Sequence, residues 1–422
     1  MVYQIEYSPD AFDHLQRLSV HQQRTILDEV ERRLSYEPTV ETRNRKAMGP
    51  NPLAPWELPS GAVRVYYDVE CATSSLTAAA GRARMFVAID PLFAGHDPGA
   101  GHPERPERLL ALLEVIRSFP YRDEIEEISA RPGSWHQASW IHDAAYLGLL
   151  RRIRGSPAIL DADTRTSAGS IDIALAAFGS ALAAAEKVSN ARKSGFAMIR
   201  PPGHHAERDH AMGFCLFNNV AIVAEWALRE AGAGRVAVVD FDVHHGNGTQ
   251  HSFYGRDDVL YISSHQFPFY PGTGALSESG TGRGEGFTVN FPLPAGAGDP
   301  AFTRIYEDLV PRILEQFRPA WILISAGYDA HRDDPLAQME VTSAGFARMV
   351  QSLQRCAQAY CDGRILYLLE GGYNLEALAV CVSESLKVML GKLAPRRDPL
   401  PEPAGWNAYL AEVRSVQRRW KL

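Results

Sequence analysis

The sequence is poor in cysteine, in long apolar runs and in excess charge. Five cysteines occur in 422 residues, at Cys71, Cys215, Cys356, Cys361 and Cys381. Their number is odd and no pair is spaced Cys-x-x-Cys, which argues against a disulfide framework and a thiolate zinc site. A reducing compartment fits best, and the cytoplasm is the expected location. No apolar run reaches the ~18 residues of a membrane span, so no membrane partner is expected. The opening "MVYQIEYSPDAF" has no basic head and no apolar core, so no signal peptide is expected. A formal net charge of −7 gives no electrostatic case for nucleic acid as the main partner. What remains is a chain of ordinary composition, 45% hydrophobic and 22% charged, as in one large soluble domain or two.

A stretch of small residues, "CATSSLTAAAGRAR" at 71–84, reads as a linker. Residues 1–70 precede it. There "YQIEYSP" alternates like a strand, and "AFDHLQRLSVHQQRTILDEVERRLSY" has helical periodicity in two pieces. "WELPSGAVRVYYDVE" reads as two strands around a turn at Ser60-Gly61. This is a small α+β unit.

From residue 85 to about 395 the rhythm changes. Apolar runs recur as "MFVAID", "GFAMIR", "RVAVVDFD", "VLYISSH", "WILISAG" and "RILYLLE". Helical patterns lie between most of them. Such alternation predicts a parallel sheet covered on both faces. Ligands of such sheets bind beyond the carboxyl ends of the strands. The polar clusters fall there: "PPGHHAERDHAMGFC", "DVHHGNG", "YDAHRDD" and "EGGYN". The tail, 396–422, is proline-rich and then helical, and reads as a packing segment.

"VVDFDVHHGNGTQ" carries the chemistry. Asp242 and His244 are two apart at a strand end, so their side chains point the same way and both can reach one metal ion. Asp329, after "WILISAG", can supply a third ligand. One nitrogen and two carboxylates with an open position is the form of a catalytic zinc site. An isolated Asp-x-His would more often be a local turn. The adjacent His204 and His205 change that balance. They suit a proton-transfer pair, with Asp240 and Asn247 as orienting partners. Tyr373 follows two glycines and can donate to a developing oxyanion, although a lone tyrosine at a helix start is more often packing. Phe214 and Phe269 or Tyr270 lie in loops, where aromatics can wall a narrow channel.

These residues resemble the zinc-dependent histone deacetylase family, in its class II and bacterial branch. "RPPGHHA", "GFCLFNN", "DFDVHHGNGTQ", "SAGYDAHRDDPL" and "LEGGYNL" stand in the family's order. The resemblance implies an arginase/deacetylase α/β fold, with a central parallel sheet of about eight strands flanked by helices. It implies one catalytic Zn2+ held by Asp242, His244 and Asp329, and removal of an acyl group from an amine. His205 matches the general base and acid, His204 its charge-stabilising neighbour, and Tyr373 the tyrosine that polarises the carbonyl. Phe214 with Phe269 or Tyr270 match the channel walls, and Asp163 matches the rim aspartate. Leu336 matches the gate, where polyamine-selective relatives can place a glutamate. Asp240 and Ser263 match residues near a structural K+ site. The implied substrates are acylated lysine in a peptide or protein, or a small acylated amine such as an acetylpolyamine.

Residues 1–70 resemble the RelE/ParE toxin family through "YSPDAFDHLQRL" and "GAVRVYYDVE". Residues 1 to 84 hold ten Lys/Arg and eleven Asp/Glu, so the basic surface of such toxins is weak. A docking or homo-oligomerisation role, or a fusion relic, is expected instead. A two-manganese ureohydrolase of the same fold is disfavoured, because Asp329 is followed by Ala330-His331 where Asp-x-Asp is needed. A silent acyl-lysine reader is disfavoured by Tyr373 and the complete histidine pair.

Overall fold

All six apolar runs become strands of one sheet, and two further strands complete it. The computed structural model describes residues 84–395 and 399–422, with the backbone of 46–47, 56–60 and 63–67. The chain divides into two units, Met1–Ala79 and Ala80–Leu422.

In the first unit Trp56–Ser60 pairs antiparallel with Val63–Tyr67, the expected hairpin, although Ser60, expected in the turn, is in the strand opposite Val63. A two-residue strand, Lys46–Ala47, pairs antiparallel with Trp56–Ser60. The strand and helices expected before residue 46 lie outside the described residues.

The sheet of the second unit has strands β1 (Met85–Ala88), β2 (Ile125–Ile128), β3 (Ser194–Ala197), β4 (Val236–Asp240), β5 (Val259–Gln266), β6 (Thr288–Leu293), β7 (Trp321–Ala326) and β8 (Ile365–Leu369). Their spatial order is β6-β5-β4-β7-β8-β3-β1-β2, and every pairing is parallel. β2, "IEEI", and β6, "TVNFPL", are the two edge strands; short or part-polar, they lack the apolar run that marks the others. The central strands β4, β7 and β8 are buried at every residue, as helices on both faces demand.

Helices fill the crossovers. Ser170–Ala191 is alanine-rich and mostly buried, packing by its small side chains rather than along one stripe. Thr342, Asn218 and Asn374 cap later helices by accepting from the Gly345, Ala221 and Ala377 amides. The tail forms the helix Trp406–Val416 and returns to the sheet edge. There Trp420 donates to the Gly286 carbonyl at 2.9 Å and meets Phe287 and Phe317 edge-on. Among the described residues no helix is long and apolar enough to cross a membrane.

The topology sets the place of the site. The chain runs outward through β4, β5 and β6, then returns to insert β7 and β8 between β4 and β3. The four central strands therefore end side by side where the strand order reverses, the usual ligand crevice of an open parallel sheet.

Candidate metal centre and active site

The loops leaving β3, β4, β7 and β8 bring together every residue given a catalytic or ligand role. Asp242, His244 and Asp329 form one cluster, their ligand atoms within 4.8 Å of one another. His244 Nδ1 lies 3.2 Å from Asp242 Oδ1 and 3.2 Å from Asp329 Oδ2. Each carboxylate is tethered by backbone. The Gly371 amide donates to Asp242 Oδ2 at 2.7 Å, and the Val243 amide to Asp329 Oδ1 at 2.9 Å. The fit is close enough to demand glycine. A Cβ on Gly327 would sit 2.0 Å from Asp242 Oδ2, and one on Gly371 2.1 Å from Asp329 Oδ2. Two buried carboxylates converging on one imidazole nitrogen form a donor set that suits a single divalent cation.

His204 and His205 differ in what stands behind them. His204 Nδ1 is 3.1 Å from Asp240 Oδ2, while His205 Nδ1 is 2.7 Å from Asn247 Oδ1. Burial works against a charge on His204, but Asp242 and Asp240 outweigh it and push its pKa up to about 10. Burial pushes His205 well below the ordinary histidine range, and the charges of His204 and His244 push the same way. Their surroundings thus shift the two adjacent imidazoles in opposite directions.

Tyr373 faces this pair across a pocket of about 90 Å³ lined by Asp163, His205, Gly213, Phe214, His244, Tyr270, Leu336 and Tyr373. Burial holds the Tyr373 phenol well above its ordinary pKa, so it keeps its proton and can donate. Its loop is pinned from two sides. Asp334 Oδ2 accepts from the Tyr373 amide at 2.6 Å. Arg108 donates to the carbonyls of Glu370 at 2.6 Å and Gly372 at 2.7 Å, with its guanidinium 4.9 Å from the Tyr373 ring centroid.

The remaining predicted residues fall around this pocket or behind it. Phe214 meets Tyr373 edge-on at 5.9 Å. It sits in a left-handed turn with Gly213, where a Cβ would lie 2.3 Å from the His205 ring. Asp163 and Thr164 hold that turn, accepting from the Gly213 and Phe214 amides at 3.2 and 3.1 Å. Tyr270, the second wall, meets His205 edge-on at 5.3 Å. Phe269 is not among the pocket-lining residues. It stacks on His244 instead, 5.5 Å between centroids and 18° between planes. Asp240 and Ser263 are register partners on β4 and β5, and Ser263 Oγ lies 2.8 Å from His265 Nδ1.

Four residues of the site were not singled out from sequence. Glu370, wholly buried, accepts from the Gly203 and His204 amides at 2.6 and 3.1 Å. Its signal was present, a carboxylate closing an apolar strand in "LLEGG". Glu104 binds both Arg200 and Arg108 beneath the Tyr373 loop, and nothing local in "HPERPERLL" marks it or Arg108 as buried. Glu207 stands behind Asn247, its Oε1 2.5 Å from Asn247 Nδ2.

The chain matches a family model described as "Histone deacetylase domain" over residues 102–389. It is 41% identical over 284 residues to a "Probable deacetylase" of Archaeoglobus fulgidus, covering 67% of this chain and 79% of that protein. It is 36% identical over 325 residues to a "Histone deacetylase-like amidohydrolase" of Pseudomonas aeruginosa, covering 76% and 85%. The crystal structure of the HDA15 HD domain superposes with a TM-score of 0.73 at 37% identity, covering 80% of this chain and 95% of that one. Fold, strand-end chemistry and these likenesses define a hydrolase of the deacetylase and amidohydrolase class. The chain belongs to the histone deacetylase family.

Proposed function

We propose that this protein is a zinc-dependent deacetylase that cleaves the amide of an acyl-lysine side chain, in a peptide or protein, to the free amine and a carboxylate. The observation that carries this reading is the narrow pocket on which His205, His244 and Tyr373 converge between Phe214 and Tyr270. Asp242, His244 and Asp329 would hold the zinc. When bound, zinc lends Lewis acidity to the attacking water and the acyl carbonyl. His205, neutral by burial, takes the water proton. Tyr373 keeps its proton and donates it in a hydrogen bond to the oxygen that gains charge. His204, held by Asp240, offers a cationic neighbour to that charge. His205 then passes its proton to the leaving amine. The apolar stem of an acylated lysine suits the aromatic walls, and the half-buried Leu336 suits an uncharged gate.

A structural potassium ion near Asp240 and Ser263 belongs to the same reading. So do a cytoplasmic location, a RelE/ParE-like first unit that docks or oligomerises, and a catalytic unit over 85–395. The test is turnover of an acetyl-lysine peptide by protein stripped of metal and reloaded. Activity restored by one equivalent of zinc supports the proposal. A reloaded, folded protein that cleaves no acylated amine overturns it.

A further inference from the structure

The direction in which the Asn247 amide points decides which nitrogen of His205 carries the proton. A neutral imidazole donates from one nitrogen and accepts at the other. With the amide oxygen toward His205 Nδ1, that nitrogen holds the proton and Nε2 is left as the basic site. With the amide turned over, its NH2 would face Nδ1, and the basic site would point away from the pocket. Asn oxygen and nitrogen are told apart by their partners. Asn247 Nδ2 is surrounded by acceptors: Glu207 Oε1 at 2.5 Å, the His205 carbonyl at 3.4 Å and Met212 Sδ at 3.2 Å.

Among these three, only Glu207 is a carboxylate, and its contact is the shortest. A hydrogen bond to a charged acceptor is roughly twice as strong as a neutral one. Thioether sulfur is a weak acceptor and the His205 carbonyl is distant, so neither would hold the amide by itself. Glu207 is well placed to do so because it is buried and fixed. His251 Nδ1 lies 2.8 Å from the same Oε1, the Glu207 amide donates to the His210 carbonyl at 3.0 Å, and His142 Nδ1 lies 2.8 Å from the Glu207 carbonyl.

We infer that Glu207 is a positioning residue for the deacetylation base: its carboxylate fixes the Asn247 amide, and that amide fixes His205 with the proton on Nδ1 and Nε2 toward the pocket. The inference deepens the proposed function and rests on His205 being the base there. Glu207 touches no reacting atom and acts only through Asn247.

Full-length, zinc-reconstituted protein labelled with 15N-histidine provides the first readout, its His205 signals assigned by their loss in His205→Gln. Wild type should show His205 protonated on Nδ1. Glu207→Gln keeps an oxygen for Asn247 and should keep that tautomer, with kcat within about threefold of wild type. Glu207→Leu removes the acceptor. It should lose the single tautomer and lower kcat by roughly 10–100-fold, the scale for supporting partners of a reactive site, with KM and zinc stoichiometry little changed. Three results overturn the inference: wild-type His205 protonated on Nε2, Glu207→Leu with wild-type tautomer and kcat, or Gln and Leu variants equally impaired. Should Glu207→Leu fail to fold, the wild-type tautomer and Glu207→Gln still decide it. Should wild type cleave no acylated amine, the proposed function falls while the tautomer measurement stands by itself.

Discussion

Gly371 and Asp242 are joined more closely than any side chain at position 371 would allow. The Gly371 amide donates to Asp242 Oδ2 at 2.7 Å, and a Cβ there would lie 2.6 Å from that oxygen and 2.1 Å from Asp329 Oδ2. Gly371→Ala must therefore displace both acidic ligands at once. Zinc affinity is expected to fall by roughly 10–100-fold, as when a ligand's supporting contacts are lost. Chelator competition measures it, and wild-type affinity in this variant would remove Gly371 from the account of the metal centre.

How much of this was legible in the sequence depended on how local each signal was. The six long apolar runs announced their strands. β2 and β6 did not, because β2 is part-exposed and "IEEI" carries no long apolar run, while Thr288, Asn290 and Pro292 interrupt that of β6. The clustering of Asp242, His244, Asp329 and the histidine pair is legible because crowded polar residues at the end of a buried strand need a reason to be there. Glu104 and Arg108 are not, since Arg108 is held by the carbonyls of Glu370 and Gly372, more than 260 residues away, and Glu104 by Arg200, 96 residues away. Sequence alone does not choose between Phe269 and Tyr270 for the same reason. Only the fold turns Tyr270 into the pocket and lays Phe269 flat on His244.

Tyr373→Phe tests the oxyanion donor without disturbing its loop, because Asp334 and Arg108 hold that loop through backbone atoms. Turnover should drop by roughly 10²–10³, the usual scale for one such donor. Zinc content should stay at one per chain. Less than a tenfold loss would place the phenol away from the reacting carbonyl.

Arg108→Leu should cost stability first. Arg108 is fully buried and satisfies two carbonyls and one oxygen of Glu104. Burial raises the pKa of Glu104, but Arg200, His96 and Arg108 together hold it well below the ordinary range. Removing one partner of such a buried network costs about 3–5 kcal/mol. Urea unfolding of the variant against wild type reads this directly; equal midpoints would show that the network contributes little.

Truncation to residues 80–422 should leave zinc binding and turnover within about twofold, the scatter of independent changes. The cut falls between the two structural units, and every residue of the pocket and metal cluster lies in the second. Size-exclusion chromatography on both forms also tests the proposed role of the first unit in self-association. A folded but inactive truncation would mean that residues 1–79 complete the site or a required interface.

The gate offers a test of the proposed substrate choice. Leu336 lines the pocket at the position where a carboxylate could draw in a second ammonium. Two aspartates precede it, and neither supplies that charge. Asp334 is buried and accepts from the amides of Leu336, Tyr373 and Asn374 at 3.0, 2.6 and 3.2 Å. Asp333 is exposed and is not among the lining residues of the pocket; its Oδ2 lies 3.6 Å from His331 Nδ1. The lining carboxylate is Asp163, which already accepts from the Gly213 amide and the Thr164 hydroxyl. Burial, reinforced by the charge of Asp163, pushes the Tyr270 phenol above its ordinary range, so it stays neutral at the mouth. An uncharged stem between Phe214 and Tyr270 therefore fits better at this gate than a chain with a distal ammonium, for which Leu336 offers no charge. An acetyl-lysine peptide should give a higher kcat/KM than N8-acetylspermidine at equal pH and zinc loading. Leu336→Glu should narrow the difference by raising kcat/KM for the polyamine. A wild-type preference for acetylspermidine would overturn the gate argument and assign the enzyme to small acylated amines.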